Sequence, residues 1–148
     1  MKKLTVFILS LFMMLMVGSQ SVLANNRIDA SAAIMADAST GQIIYKQNVD
    51  KALPVASITK LLTILVIEDE IQQKQLSWDT QVKITPEIAA ISNDAAYSSI
   101  GLKSGQSYSV RTLINAALVK SADGATVALA TATGDGTDEF NLKMMQKA

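Results

Sequence analysis

A serine and a lysine stand three residues apart in the segment Ser57-Ile58-Thr59-Lys60, and the pattern Ser-x-x-Lys occurs once in the sequence. Residues three apart share a helix face, so Lys60 can reach the hydroxyl of Ser57. A buried lysine at the positive end of a helix is driven towards its neutral form and can act as a base. The backbone N–H of Ser57 would be free there to donate to an oxyanion. The spacing predicts an activated serine nucleophile; the alternative is a solvated lysine at an ordinary helix start, since about one such match arises by chance.

The composition removes several other chemistries. The chain has no cysteine and no histidine, which excludes a disulfide scaffold, a Cys/His metal site and a Ser-His-Asp triad. Its 13 basic and 13 acidic side chains balance, without the basic excess typical of nucleic-acid binding. Asp135 and the acids at 138–139 are interpreted as loop and helix-start residues, and the acids at 68–70 as a solvated face. We therefore expect no metal, no cofactor and no nucleic-acid partner.

A β-hairpin and a long helix are predicted around the Ser-x-x-Lys segment. Turn-forming residues at 37–42 separate two extended apolar runs, 32–36 and 43–45. Pro54 then fixes the backbone ahead of a helix that continues to about residue 73. The first half of this helix is apolar nearly all round, so we expect that half to be buried.

Several shorter helices are predicted in the rest of the chain. Thr85, followed by proline, has the capping hydroxyl of a helix start, and Ser109 is placed as the cap of a helix over 110–120. Residues 92–109 are rich in loop-forming residues, and Tyr97 is interpreted as a core or loop anchor, with the lining of a cleft as the alternative. Two further helices are predicted over 125–133 and from 137 onwards. A lone hairpin is marginal in water, so the sequence predicts the front half of a larger α/β domain.

The first 24 residues have the pattern of a secretory signal peptide. Lys2 and Lys3 precede an apolar run over residues 4–17, and Val22 and Ala24 stand at the positions that a signal peptidase reads. We expect cleavage after Ala24 and a secreted, extracytoplasmic product. An uncleaved membrane anchor is the alternative, although the apolar run is shorter than the ~18 residues of a spanning helix.

Four stretches in order cover nearly all of the chain after residue 24. LPVASITKLLT stands at residues 53–63, and ADASTGQIIYKQN precedes it at residues 36–48. GLKSGQSYSVRTLINAALVKSADGATVALA follows at residues 101–130, and a final helical stretch covers residues 140–148. Together they resemble the serine D-alanyl-D-alanine carboxypeptidases, the low-molecular-mass penicillin-binding proteins. The resemblance implies a β-lactamase/transpeptidase-like α/β fold, in which residues 25–148 form the N-terminal part of the catalytic domain, truncated before the family's third motif.

The resemblance also implies a hydrolase that acts on peptidoglycan. Ser57 would attack the carbonyl of the penultimate D-alanine in a stem peptide ending in D-Ala-D-Ala, and Lys60 would take its proton. The terminal D-alanine would leave, and water would hydrolyse the acyl-enzyme. Ser121 would relay protons between Lys60 and the leaving amine. β-Lactams would acylate the same serine, and the secreted protein would be associated with the cell envelope.

Two departures from the family pattern affect these expectations. The second motif of the family is Ser-x-Asn; here Asp123 stands at the substrate-binding asparagine position, and Gly124 stands where the family often has aspartate. An ionised carboxylate cannot donate a hydrogen bond and favours the charged form of Lys60. Residues 103–105 spell the third motif, Lys-Ser-Gly, but lie between the first two motifs and are interpreted as an ordinary turn. The alternatives are therefore a truncated, inactive exported fragment, or a β-lactamase or esterase of the same fold.

Overall fold

The computed structural model describes residues 27–148, so the predicted signal peptide, residues 1–24, lies outside the described residues. The described residues divide into two compact units, 27–52 and 53–148. Within residues 27–148, none of the helices combines the length and the apolar character that crossing a membrane requires.

The first unit contains an antiparallel hairpin of strand β1, Ala33–Ala36, and strand β2, Ile43–Gln47. Met35 pairs with Tyr45, and the register shifts directly after Met35. The hairpin predicted from the sequence is confirmed. Four aliphatic side chains of the two strands are exposed: Ile34, Met35, Ile43 and Ile44. Apolar side chains on both faces of a hairpin are typical of strands from a larger sheet.

The turn between these strands is held by the carboxylate of Asp37. Its Oδ1 accepts hydrogen bonds from the backbone N–H of Ser39 at 3.0 Å and of Thr40 at 2.8 Å. Hydrogen bonds from the hydroxyls of Ser39 and Thr40, and then from the two N–H groups, lower the pKa of Asp37 to about 2. Gly41 has a φ of 71°, in the left-handed region that glycine adopts without a steric penalty. The turn therefore follows from the local sequence alone.

The second unit is mainly helical. A 3₁₀ turn, Ala56–Ile58, leads directly into helix α1, Thr59–Gln72. The elements that follow are strand β3 (Gln81–Lys83), helix α2 (Pro86–Asn93), strand β4 (Ser107–Ser109), helix α3 (Val110–Lys120), helix α4 (Asp123–Ala132) and helix α5 (Thr137–Lys147).

Helix α4 lies at the centre of this unit and contacts the other four helices and β3. Its buried face carries Ala125, Ala128 and Leu129, which are fully inaccessible to solvent. The small alanine side chains allow neighbouring helices to approach closely, and Leu129 fills the space between them. The packing of α4 therefore fixes the position of its first residue, Asp123.

Side-chain caps begin two of the helices where the sequence predicts them. Thr85 Oγ1 accepts a hydrogen bond from the backbone N–H of Ile88 at 3.3 Å, and proline occupies the first position of α2. Ser109 Oγ accepts one from the backbone N–H of Thr112 at 3.2 Å at the start of α3. Each cap satisfies one of the amide groups that a helix N-terminus leaves without an intrahelical partner.

Two expectations from the sequence are wrong. Residues 107–109, expected in a loop, form β4, which pairs antiparallel with β3 through Val82 and Tyr108. The first half of α1 is not buried all round, because Leu61 and Leu65 are about half exposed. The opposite side of α1 packs against α3, α4 and α5, so an apolar stripe of this helix faces outwards.

Candidate active site

Ser57 lies in the middle of the 3₁₀ turn, and Lys60 lies in the first turn of α1. Ala56, directly before the serine, has a φ of 46°. The chain from Ala56 to Lys60 thus winds tightly enough to bring the Lys60 Nζ within 2.9 Å of the Ser57 Oγ. Lys60 is 9% exposed, as the sequence predicted for this lysine. The two side chains form a direct hydrogen bond on one face of the helix start.

Ser121 lies between α3 and α4. Its backbone has the left-handed conformation, with φ 52° and ψ 31°. Its Oγ donates a hydrogen bond to the Ser57 Oγ at 2.8 Å and accepts one from the Lys60 Nζ at 3.2 Å. The three side chains therefore form a closed triangle. The structure brings together residues that are 64 positions apart in the sequence.

Asp123, the first residue of α4, contacts the same lysine. Its Oδ1 lies 2.8 Å from the Lys60 Nζ, and its Oδ2 accepts a hydrogen bond from the backbone N–H of Ser98 at 3.0 Å. The backbone N–H of Asp123 donates to the Ser98 carbonyl oxygen, also at 3.0 Å. The carboxylate thus bridges the lysine and the segment that follows α2.

The residue after Asp123 must be small. A Cβ built on Gly124 would lie 2.6 Å from the Cβ of Ser92 and 3.1 Å from its Oγ, which is closer than real side chains approach. Ser92 is fully buried at the end of α2, and its Oγ accepts a hydrogen bond from the backbone N–H of Leu102. Any side chain at position 124 would push α4 away from α2.

A cavity of about 520 Å³ lies beside Ser57 and Lys60. Helix α1 contributes Thr59 and Thr63 to it, and α4 contributes Asp123, Thr126 and Val127. Tyr97, interpreted from the sequence as a core or loop anchor, is half exposed and lines this cavity instead. The cavity lining therefore combines threonine hydroxyls and an aromatic residue with the side chains of Ser57, Lys60 and Asp123.

The comparisons with known proteins decide the family. The sequence matches the family described as D-alanyl-D-alanine carboxypeptidase over residues 19–148. The chain belongs to this family. It is 34% identical to the D-alanyl-D-alanine carboxypeptidase DacD of Salmonella typhimurium over 76% of this chain and 30% of that protein. The chain thus spans about a third of the length of the curated relatives it matches.

Solved structures of carboxypeptidases and penicillin-binding proteins share its fold. The D-alanyl-D-alanine carboxypeptidase DacD from Francisella tularensis is 35% identical, with a TM-score of 0.74 over 84% of this chain and 29% of that one. Penicillin-binding protein D2 from Listeria monocytogenes, in its cefotaxime-bound form, is 30% identical, with a TM-score of 0.66 over 83% and 47%. The predicted fold, part of a transpeptidase-like domain, is therefore confirmed.

The Lys-Ser-Gly sequence at residues 103–105 of this chain forms a turn, as predicted. The backbone N–H of Gln106 donates to the carbonyl of Lys103, and that of Gly105 donates to the carbonyl of Ile84. Gly105 has a φ of 79°. These bonds lead the chain into β4, and the described residues show no contact between this turn and Ser57.

Helix α5 forms ion pairs with the end of α1 that sequence reasoning missed. The Nζ of Lys143 lies 2.9 Å from Glu70 Oε1 and 2.6 Å from Asp135 Oδ2. Hydrogen bonds to Asp135, and to a smaller extent to Glu70, raise the pKa of Lys143. The hydrogen bond from Lys143, and to a smaller extent that of the Thr133 hydroxyl, lowers the pKa of Asp135. The acids at 68–70 are therefore not simply a solvated face. Among the described residues, no group of three or more His, Cys, Asp or Glu side chains is placed to hold a metal ion.

Proposed function

We propose that this protein is a serine D-Ala-D-Ala carboxypeptidase that removes the terminal D-alanine from peptidoglycan stem peptides. The observation that carries the proposal is the closed triangle of Ser57, Lys60 and Ser121, in which the nucleophile is hydrogen-bonded to both proton-transfer groups. The family supports the substrate class, because its description and its relatives carry the name D-alanyl-D-alanine carboxypeptidase.

The proposed reaction uses this triangle in two steps. Ser57 Oγ attacks the carbonyl carbon of the penultimate D-alanine, and its proton passes to the neutral amine of Lys60. The C–N bond to the terminal D-alanine then breaks, while Ser121 hands a proton from Lys60 to the leaving nitrogen. Water attacks the resulting ester in the reverse sense, which releases the shortened peptide and restores the Ser57 hydroxyl.

β-Lactams are proposed as acylating inhibitors of the same serine. The cefotaxime-bound penicillin-binding protein D2 of Listeria monocytogenes, which shares the fold, supports this proposal. We place the activity outside the cytoplasm and at the cell envelope, because peptidoglycan lies there and residues 1–24 have the pattern of a signal peptide. The roles of Asp123 and of the cavity beside Ser57 in holding the stem peptide belong to the same proposal.

The test is covalent labelling of the intact protein by a fluorescent penicillin. Ser57→Ala should abolish labelling, and Lys60→Ala should reduce it by ~10² or more, as expected for loss of a general base. Ser104→Ala is the matched control, because this exposed serine lies in the turn at 103–105, and it should label like the parent protein. Labelling that survives Ser57→Ala would exclude Ser57 as the nucleophile. A labelled serine that is freed within seconds would indicate a β-lactamase instead of a carboxypeptidase.

A further inference from the structure

The ammonium group of Lys60 has three hydrogen-bond acceptors around it. They are Ser57 Oγ at 2.9 Å, Ser121 Oγ at 3.2 Å and Asp123 Oδ1 at 2.8 Å. A protonated lysine has three N–H donors and no acceptor, so each of the three contacts can be a donation from the ammonium form. The lone pair of a neutral amine requires a donor, which the two serine hydroxyls can supply and an ionised carboxylate cannot, so Asp123 is the partner that favours the ammonium form.

Asp123 is also attached to the segment between α2 and β4. Its second carboxylate oxygen accepts from the backbone N–H of Ser98, and its own N–H donates to the Ser98 carbonyl. The backbone N–H and the carbonyl oxygen of Ser98 are thus both hydrogen-bonded to Asp123. Tyr97, the preceding residue, lines the cavity beside Ser57. The position of the cavity wall therefore depends on Asp123.

We propose that Asp123 is a positioning residue with two separable tasks: it pairs with Lys60 in the resting site and so opposes loss of the lysine proton, and it holds the Ser98 segment beside the cavity. This inference rests on the proposed function, in which Lys60 must release a proton before it can act as base. The ion pair with Asp123 must therefore break before Lys60 can accept the Ser57 proton.

Among the described charged groups, Asp123 is the one that forms an ion pair with Lys60. The titratable side chains that line the cavity are Lys60, Asp123 and Tyr97. Of the charged residues on α5, which packs against α1, Lys143 pairs with Glu70 and Asp135, and Lys147 pairs with Asp69, towards the C-terminal end of α1. Lys120, at the end of α3, is exposed. Within residues 27–148, the carboxylate in contact with Lys60 is that of Asp123.

Two variants separate the two tasks. Asp123→Asn is nearly isosteric: its carbonyl oxygen can still accept from the Ser98 N–H, while its NH₂ group can donate to a neutral lysine. It removes the ion pair and keeps the segment in place. Asp123→Ala removes the ion pair and also the side-chain bond to Ser98.

The first measurement is the second-order rate of acylation by a β-lactam, from pH 6 to 10. Asp123→Asn should acylate faster than the parent protein near pH 7, by roughly fivefold or more, the factor that corresponds to loss of one ion pair. The difference between the two rates should narrow as the pH rises. Identical curves of acylation rate against pH for the two proteins would overturn the proposed effect of the Asp123 charge on Lys60. If the parent protein is not acylated at any pH, the proposed function fails instead.

The second measurement does not depend on activity. Hydrogen exchange at the Ser98 amide should be slow in the parent protein and in Asp123→Asn, and at least about tenfold faster in Asp123→Ala, because that variant loses the acceptor of this amide. Exchange at the Leu102 amide, which Ser92 Oγ holds, is the internal control and should not change. Equal Ser98 exchange in all three proteins would overturn the positioning role.

Discussion

The backbone next to two of the site hydroxyls has an unusual conformation. Ala56, before Ser57, has a φ of 46°, and Ser121 itself has a φ of 52°. For residues with a Cβ this left-handed region costs roughly 1–2 kcal/mol each. Strain of this kind persists only where the surrounding structure enforces it. Here it turns the two hydroxyls towards one another, so part of the folding free energy is used to build the triangle.

At the same scale, Gly124 sets the distance between α4 and α2. Gly124→Ala should lower the free energy of unfolding by about 1–3 kcal/mol, because the new methyl group meets the Ser92 Cβ at 2.6 Å. Urea denaturation measures the loss. Gly136→Ala is the control for the steric effect: nothing lies within 4 Å of a Cβ there and its φ is negative, so only the loss of about 1 kcal/mol or less from the poorer helix N-cap is expected.

A double-mutant cycle tests the contact itself. Ser92→Gly removes the Cβ and Oγ that the new methyl group would meet, so the pair with Gly124→Ala should be more stable than the sum of the single changes predicts. A coupling of about 1 kcal/mol or more is expected for residues in direct contact. Strict additivity would show that α4 accommodates the methyl group by moving elsewhere.

The sequence predicts the part of the site formed by residues close together in the chain, Ser57 and Lys60. The spacing of Ser57 and Lys60 implies their hydrogen bond, because helix geometry places residues three apart on one face. It does not imply the bond from Asp123 to Ser98, which joins backbone and side chain across 25 residues. Nor does it imply the left-handed Ala56, since nothing in its side chain favours that region. Resemblance to the family, and not the pattern alone, indicated Ser121.

At the scale of elements, the caps and the hairpin turn were predictable and β4 was not. Thr85, Ser109 and Asp37 act on amides within three residues of themselves, so their chemistry can be interpreted from the adjacent sequence. The pairing of β3 with β4 joins residues 24 to 28 positions apart. Three-residue strands have too few positions to show an alternating pattern.

The packing of helix α3 provides a prediction with a matched control. Leu113→Ala, at a fully buried position, should destabilise the second unit by about 2–5 kcal/mol, the usual cost of a cavity. Leu118→Ala, the same change on the same helix, should cost less than about 1 kcal/mol, because Leu118 is 52% exposed. Thermal unfolding followed by far-UV circular dichroism distinguishes the two. Equal losses would contradict the described orientation of α3.

Within residues 27–148, ion pairs join helix α5 to helix α1. Lys143 lies between Glu70 and Asp135, and Lys147 pairs with Asp69. Lys143 and Glu70 are 73 positions apart in the sequence. The pattern of residues within α1 therefore could not indicate this ion pair. The sequence indicated a solvated face for the acids at 68–70, whereas the fold supplies Glu70 and Asp69 with lysine partners from a different helix.

These pairs make stability depend on pH in a defined direction. The pKa of Asp135 is lowered below its usual value of 3.8, chiefly by Lys143, so its stabilising effect is present above about pH 4 and is lost as the pH falls through the lowered value. Lys143→Met should be less stable than the parent protein at pH 7. It should also lose less stability between pH 5 and pH 2. Urea unfolding over this range is the measurement.

Lys120→Met is the control for this prediction. Lys120 is an exposed lysine at the end of α3 that takes part in none of the described ion pairs, so its removal should leave the slope of stability against pH unchanged. Parallel curves for the parent protein and Lys143→Met would contradict the assigned role of Lys143.

The separation of Ser57 from Ser121 along the chain has a consequence for synthesis. A growing polypeptide that has passed Lys60 holds the first two members of the triangle, but the third follows 61 residues later. Asp123 and the helix that fixes it come later still. In the proposed mechanism Ser57 is activated by Lys60 and Ser121 together, so its reactivity should require the packing of α4 and with it completed tertiary structure. A reagent specific for activated Ser57 would then count folded molecules and pass over unfinished ones.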